Sequence, residues 1–336
     1  MTKHLIILNP NAASGTAAKR IDQIKDLLRD RDVLFDMELT NGPLQAVSIA
    51  KDGCAAGYSS IIAAGGDGTV NEVLNGIMLS GAVGNDLPAF GIISIGRGND
   101  FAHVAGVPQD IAMACDVLER GTPVPMDIGR IMVDSSARSD DSSSQTTIRS
   151  GAAANELQFP THFPNGRYFI NGVGIGFDAM VNIEATKITW AQGFLSYFIG
   201  AMKTMFFYYD PVSLDIEYNG KRETKQMIQI SVMNGRRMGG AFYMTPDAVA
   251  DDGLFDLCIG HAPKRREMLG IILRFMNGTQ GVSPHVMFDR TQHLSVKSAD
   301  GKLVVQADGE IMCTEGRQVE IECLHRAIQV IRADTE

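Results

Sequence analysis

Apolar positions along the chain change their period near residue 125. Before it, short continuous apolar runs alternate with stretches whose apolar residues recur every three or four positions. Leu5-Ile6-Ile7-Leu8 is one such run, as expected of a strand buried on both faces. Asn9-Pro10 and the small-residue turn 11–15 end it, and Ile21, Ile24, Leu27 and Leu28 then mark one face of a helix. The same alternation predicts strands over 33–39, 60–64 and 90–95 and helices over 44–55, 70–79 and 111–119. Strands and helices in turn at short spacing imply βαβ units and a largely parallel sheet.

Beyond Pro125 short strand signals dominate, at 127–133, 167–173, 212–218, 226–233, 255–260, 293–296, 303–306, 319–323 and 327–331. Their spacing and turn residues predict a mostly antiparallel β sandwich or barrel, interrupted by two helical stretches at 191–208 and 264–276. The expected organisation is an α/β domain over 1–125 and a β-rich domain over 126–333. Segment 134–166 is rich in Ser, Asp and Thr and lacks the apolar surface to offset its ordering entropy, so a disordered insertion is expected there.

Composition narrows the function classes. A formal net charge of -9 over 336 residues argues against nucleic-acid binding, which calls for a basic face, and against simple adhesion to anionic lipid. The cysteine count is 5, with no CxxC pair, as expected of buried thiols in a reducing cytoplasm. The apolar run 5–8 is too short for a signal peptide. The stretch 190–209 has about the length of a membrane span, but Gln192, Gly193, Gly200 and Lys203 interrupt it. It predicts an amphipathic helix, with aromatics such as Trp190, Phe206, Phe207 and Tyr208 divided between core and lipid contact.

The strongest chemical signal is Gly65-Gly66-Asp67-Gly68-Thr69, between a buried strand and a helix start. Glycines let phosphate approach bare N–H groups, and the helix N-terminus favours an anion. Thr69 and Glu72 also fit a capping box, with Thr69 as N-cap, which marks Glu72 as structural. Asp308-Gly309-Glu310 offers two acids on a tight turn, suited to accepting a hydroxyl proton during phosphoryl transfer. By spacing alone it is equally an Asp-Gly hairpin turn. Asp251-Asp252-Gly253-Leu254 suits a hard cation or an ordinary solvated turn. Gly174 to Ala179 matches G-x-G-x-x-A without a βαβ context, and neither a P-loop nor HExxH occurs.

From Gly65 to Gly76 the sequence GGDGTVNEVLNG resembles the nucleotide-binding signature of the diacylglycerol kinase catalytic-domain family, which includes sphingosine and ceramide kinases and bacterial lipid kinases. Further segments resemble that family in its own order. They are Asn9-Pro10 with Ser14-Gly15, Thr40 with Ala46, Gly96 to Ala102, Phe169-Ile170-Asn171 with Gly176 to Ala179, Asp251 to Leu254, and Gln306 to Glu310. Arg97 departs from the pattern, standing where the family usually has Thr or Ser.

The resemblance implies an ATP- and Mg2+-dependent kinase that phosphorylates a lipid hydroxyl, with the ATP site in the cleft between two domains. It implies nucleotide contacts from Asn9, Pro10, Ser14, Gly15, Thr40, Gly65, Gly66, Asp67, Gly68, Thr69, Asn71, Arg97, Asn99 and Asp100. Asp308 and Glu310 would carry catalysis, in roles the sequence leaves undivided. Magnesium would sit on Asp252 and the carbonyls of Val249 and Leu254, with Asp251 linking toward the phosphate site. The expected partner is a lipid at the inner face of the membrane, met by a cytoplasmic or peripheral protein without a transmembrane segment; a homodimer is left open. Two alternatives stand: phosphorylation of a soluble dinucleotide by an NAD kinase-like enzyme, which shares G-G-D-G-T, and a non-catalytic lipid- or nucleotide-binding regulator.

Overall fold

The structure is a computed structural model that describes residues 3–82, 84–96, 98–134, 166–188, 190–191, 193–208, 210–300 and 302–333. The expected insertion at 134–166 therefore lies, but for its two end residues, outside the described residues.

The first elements in chain order are β1 (His4–Leu8), α1 (Ile21–Arg29), β2 (Phe35–Leu39), α2 (Gln45–Ala55), β3 (Ser60–Gly65), α3 (Asp67–Met78), β4 (Ala89–Ser94), α4 (Asp100–Val104) and α5 (Ile111–Arg120). The strands form a parallel sheet in the order β2-β1-β3-β4. Successive side chains of a strand face opposite ways, so the run 5–8 feeds two cores. Leu5 and Ile7 pack with Val70, Val73, Leu74 and Ile77 of α3. Ile6 and Leu8 pack with Ile24 and Leu28 of α1 and with Cys115 and Leu118 of α5. A Cβ on Gly76 would lie 2.4 Å from the Val47 carbonyl, so α2 and α3 touch backbone to backbone there.

The later elements are β5 (Thr122–Asp134), β6 (Arg167–Phe169), β7 (Gly172–Gly176), α6 (Phe177–Thr186), α7 (Phe194–Phe207), β8 (Val212–Tyr218), β9 (Lys221–Met233), β10 (Phe255–His261), α8 (Arg265–Asn277), β11 (Val286–Thr291), β12 (His293–Ser298), β13 (Leu303–Ala307), β14 (Glu310–Gly316) and β15 (Gln318–Arg332). Their pairings are antiparallel, and alternate residues such as Val173, Ile216, Ile230, Leu257, Val296, Val305 and Ile321 fill a sandwich core. The mixed α/β architecture expected from the sequence is present, a parallel sheet region followed by an antiparallel sandwich.

Several elements differ from expectation. Helix α6 was not expected, because its buried Ala179, Val181, Asn182 and Ala185 leave no clean polar face to reveal a helical period. Gly174 to Ala179 therefore spans a strand-to-helix turn, although β7 is antiparallel to both of its neighbours. The two signals at 319–323 and 327–331 form one strand, β15, bulged between Leu324 and Ile328. Its far end runs parallel to β4, with Val330 opposite Phe90, while β5 pairs with it across nearly its whole length. Residue 125 thus falls inside a continuous strand. Helix α7 has 14 residues, and among the described residues no helix is long and apolar enough to cross a membrane.

Candidate functional site

Two glycine-bearing loops meet at the C-terminal ends of β3 and β4. A Cβ on Gly96 would lie 2.5 Å from Gly66 Cα, and one on Gly98 would lie 2.8 Å from Asp67 Oδ2. A side chain at Gly96 would force the two backbones apart, and one at Gly98 would displace the Asp67 carboxylate. Asp67 is the first residue of α3, with Gly66 as N-cap, so Thr69 lies inside the helix rather than capping it. Asp67 accepts hydrogen bonds from Asn99 N at 2.9 Å and Phe101 N at 3.5 Å. Burial pushes its carboxyl up, and nearby Asp308 adds to the shift.

Glu72 reaches another helix: its carboxylate accepts from Leu44 N and Ala46 N, capping α2. The capping box read from the sequence is absent, but the structural role expected of Glu72 stands. Asn9 Nδ2 donates to Thr69 Oγ1 at 3.2 Å, and its side-chain Oδ1 accepts from Asn11 N. Pro10 and Gly15 belong to the turn and short 3-10 helix that follow β1, with Gly15 at φ 84. Arg97 and the side chain of Ser14 lie outside the described residues.

The Asp308-Gly309 pair turns the β13–β14 hairpin. Both residues have positive φ, 48 and 85, as a type I′ turn requires. Here the structure separates the two acids. Each Asp308 oxygen accepts two bonds: Oδ1 from Asn171 N and Gly172 N, Oδ2 from Ile170 N and Asn71 Nδ2, at 2.9 to 3.1 Å. Burial pushes the carboxyl up, against four donors that favour its charged form. An ionised carboxylate offers about four lone-pair sites, so none remains for a substrate. Among the described residues no hydrogen-bond donor reaches the Glu310 side chain, and its Oε1 would sit 3.1 Å from a Cβ on Gly68.

Asn71 and Asn75 stitch α3 to β6. Asn71 Nδ2 donates to Asp308 and to the Tyr168 carbonyl. Asn75 both donates to that carbonyl and accepts from Tyr168 N. Asp100, at the start of α4, accepts from Gly240 N on both oxygens and lies 3.3 Å from Arg237 Nε. Burial pushes its carboxyl up to about 7.

Three cavities converge on these residues. One of about 330 Å³ is lined by Asn9, Thr40, Gly68, Thr69, Glu72, Arg167 and Glu310. A second of about 460 Å³ shares Asn9, Gly68, Thr69 and Glu310 and adds Gly66, Asp67, Gly96 and Asp308. The third, about 130 Å³, is apolar along Val181, Ile228, Phe242, Met268, Ile272 and Phe275 and ends at Asp67, Asp100, Asp178 and Asp308. Asp178 accepts from Ser231 Oγ at 3.0 Å, and burial pushes it up to about 6.

Arg167 and Asp178 were not singled out as site residues from the sequence. The available signal was a charged residue opening an apolar strand, or an acid directly after a glycine-rich one.

The loop expected to hold magnesium is arranged otherwise. Asp252 Oδ1 accepts from Leu254 N at 3.1 Å, and Oδ2 pairs with the Arg290 guanidinium. Strand register sets Arg290 opposite Asp256, and Arg290 Nε lies 3.4 Å from Asp256 Oδ1. Magnesium demands near-octahedral oxygen ligands at about 2.0–2.1 Å. In the set Val249, Asp252 and Leu254 the one carboxylate, Asp252, is paired with Arg290. Asp251 faces Arg326, not the glycine loops. None of these loop residues lines the three cavities.

Residues 3–131 match the diacylglycerol kinase catalytic domain, and residues 171–332 match the YegS C-terminal NAD kinase beta sandwich-like domain. The diacylglycerol kinase of Bacillus subtilis (strain 168) is 27% identical, over 92% of this chain and 90% of that one. That of Staphylococcus carnosus is 28% identical over 83% and 82%. The crystal structure of a diacylglycerol kinase from Bacillus anthracis shares the fold, with a TM-score of 0.68 at 18% identity over 98% of this chain and 97% of that one. Matched in both halves, the chain carries a diacylglycerol kinase catalytic domain over residues 3–131 and a YegS-type C-terminal sandwich over residues 171–332.

Proposed function

We propose that this chain is an ATP-dependent lipid kinase that transfers the γ-phosphate of MgATP to a lipid hydroxyl, diacylglycerol being the first candidate and phosphatidic acid its product. One observation carries the proposal. The apolar cavity and the polar cavity beside the glycine loop share Asp67, Tyr197, Asp308 and Gly309, so an acyl chain in one would present its headgroup to a nucleotide in the other.

The amides of Gly66 to Thr69, at the N-terminus of α3, receive the phosphates. Magnesium enters as part of the MgATP substrate. As the lipid oxygen bonds to the γ-phosphorus, the bond from phosphorus to the β,γ-bridging oxygen breaks and ADP leaves. The hydroxyl proton passes to Glu310. Asp308 is a positioning residue, holding the hairpin that presents Glu310 against β6 and β7. The exposed Trp190, Phe206, Phe207 and Tyr208 rest at the lipid interface, making the enzyme peripheral at the inner face of the membrane.

The test is radiolabelled ATP with diacylglycerol, phosphatidylglycerol, a sphingoid base and NAD, with products separated by chromatography. Label on a lipid is expected. Label on NAD alone would turn the assignment to a dinucleotide kinase, and ATP binding with no labelled product would leave a binding protein.

A further inference from the structure

Arg167 opens β6 and is 6% exposed. Its Nε and Nη2 both donate to one atom, Asn71 Oδ1, at 3.0 and 2.7 Å. Among the described residues no carboxylate forms an ion pair with it. Its bonded partner is an amide dipole, and the Glu72 carboxylate that attracts it lies beyond ion-pair distance, so the buried charge is costly to hold there. Asn71 cannot turn away, because its Nδ2 is committed to Asp308 and the Tyr168 carbonyl. The guanidinium is therefore held in one orientation, at the wall of the cavity formed by Asn9, Thr40, Gly68, Thr69 and Glu310. It is the one cation among the described residues lining either polar cavity, whose acids Glu72, Asp67 and Glu310 would otherwise repel a phosphate chain.

We infer that Arg167 is an anion-binding residue of this cleft, taking phosphate oxygens of the nucleotide. Its planar fork suits phosphate geometry, and the bonds to Asn71 pre-set its direction. The inference rests on the nucleotide assignment above and adds to it a residue from the sandwich half of the chain. The opposing view makes Arg167 a strut that only joins α3 to β6 through Asn71.

Calorimetric titration of ATP, ADP and adenosine into wild type, Arg167→Gln and Arg167→Lys separates the two. A hydrogen bond to a charged group is worth about 1.5–3 kcal/mol, or about ten- to a hundredfold in affinity. Arg167→Gln should weaken ATP and ADP by that factor and leave adenosine within about twofold; Arg167→Lys should recover part of the loss. Equal weakening of all three ligands, or no weakening of ATP, would overturn the inference. Should Arg167→Gln fail to fold, Arg167→Lys carries the same comparison, with a smaller loss confined to the phosphorylated ligands. If wild type binds no ATP at all, the kinase assignment fails first and this inference with it.

Discussion

Replacing Asp308 by Asn and Glu310 by Gln removes a charge from each acid while keeping its shape, and the two changes should act on different observables. Asp308 accepts four hydrogen bonds. In Asp308→Asn one oxygen becomes an NH2 group that faces two donors, so two charged-acceptor bonds are lost. At about 1.5–3 kcal/mol each, the gross loss is about 3–6 kcal/mol. Burying a neutral amide in place of a carboxylate offsets part of it, leaving about 3 kcal/mol. On a chain of 336 residues, whose unfolding entropy is about 0.7 kcal/mol/K, that corresponds to a fall of about 4 °C in unfolding temperature. Glu310 has no such bonds, so Glu310→Gln should unfold within about 1 °C of wild type and lose about 10²–10⁴ in kcat. Thermal unfolding and steady-state kinetics on the same preparations decide the matter. Wild-type stability in Asp308→Asn would refute the anchoring role, and near-full kcat in Glu310→Gln would remove the general base.

Three further outcomes are expected. Asp100 and Asp178 are pushed up to about 7 and about 6, so the folded state holds their protons better than the unfolded chain; their stabilising contribution is complete below about pH 4 and lost as pH rises through 6–7. Unfolding temperature should accordingly fall between pH 5 and 8, and less steeply in Asp100→Asn. Without nucleotide, adding magnesium or EDTA should leave the wild-type unfolding temperature unchanged, whereas Arg290→Gln should lower it by about 1–3 °C by stranding Asp252 and Asp256; a magnesium-dependent rise in wild type that Asp252→Asn abolishes would refute this. Since Ile131 pairs with Arg167 across β5 and β6, replacing 135–165 by a short turn should keep soluble expression and unfolding temperature within about 2 °C.

The parallel sheet was legible because its signal is local: the run 5–8 needs both faces covered whatever follows it. The turn from β3 into α3 was legible for the same reason, since three glycines around one acid separate a buried strand from a helix start. The roles of Asp308 and Arg167 were not legible. They depend on partners far along the chain, Asn71 and the amides 170–172, which no periodicity connects to them. Glu72 had the right residue type for a cap, but the helix it caps precedes its own. The contact between Asp252 and Arg290 was not legible either, because Arg290 arrives through strand register, 38 residues after Asp252.

The parallel sheet does not close on its own sequence. Its edge beyond β4 is supplied by β15, whose Val330 lies opposite Phe90 and joins the core of Leu5, Ile61 and Val73. During synthesis the glycine loops therefore wait on a strand made some 240 residues after β4, and until it docks, β4 is an open, apolar edge exposed to pairing with other chains. High sequence separation of this kind slows folding. It also makes a fragment ending near residue 131 a poor surrogate for the nucleotide site, and ties phosphate-loop geometry to the integrity of the last eight residues of β15.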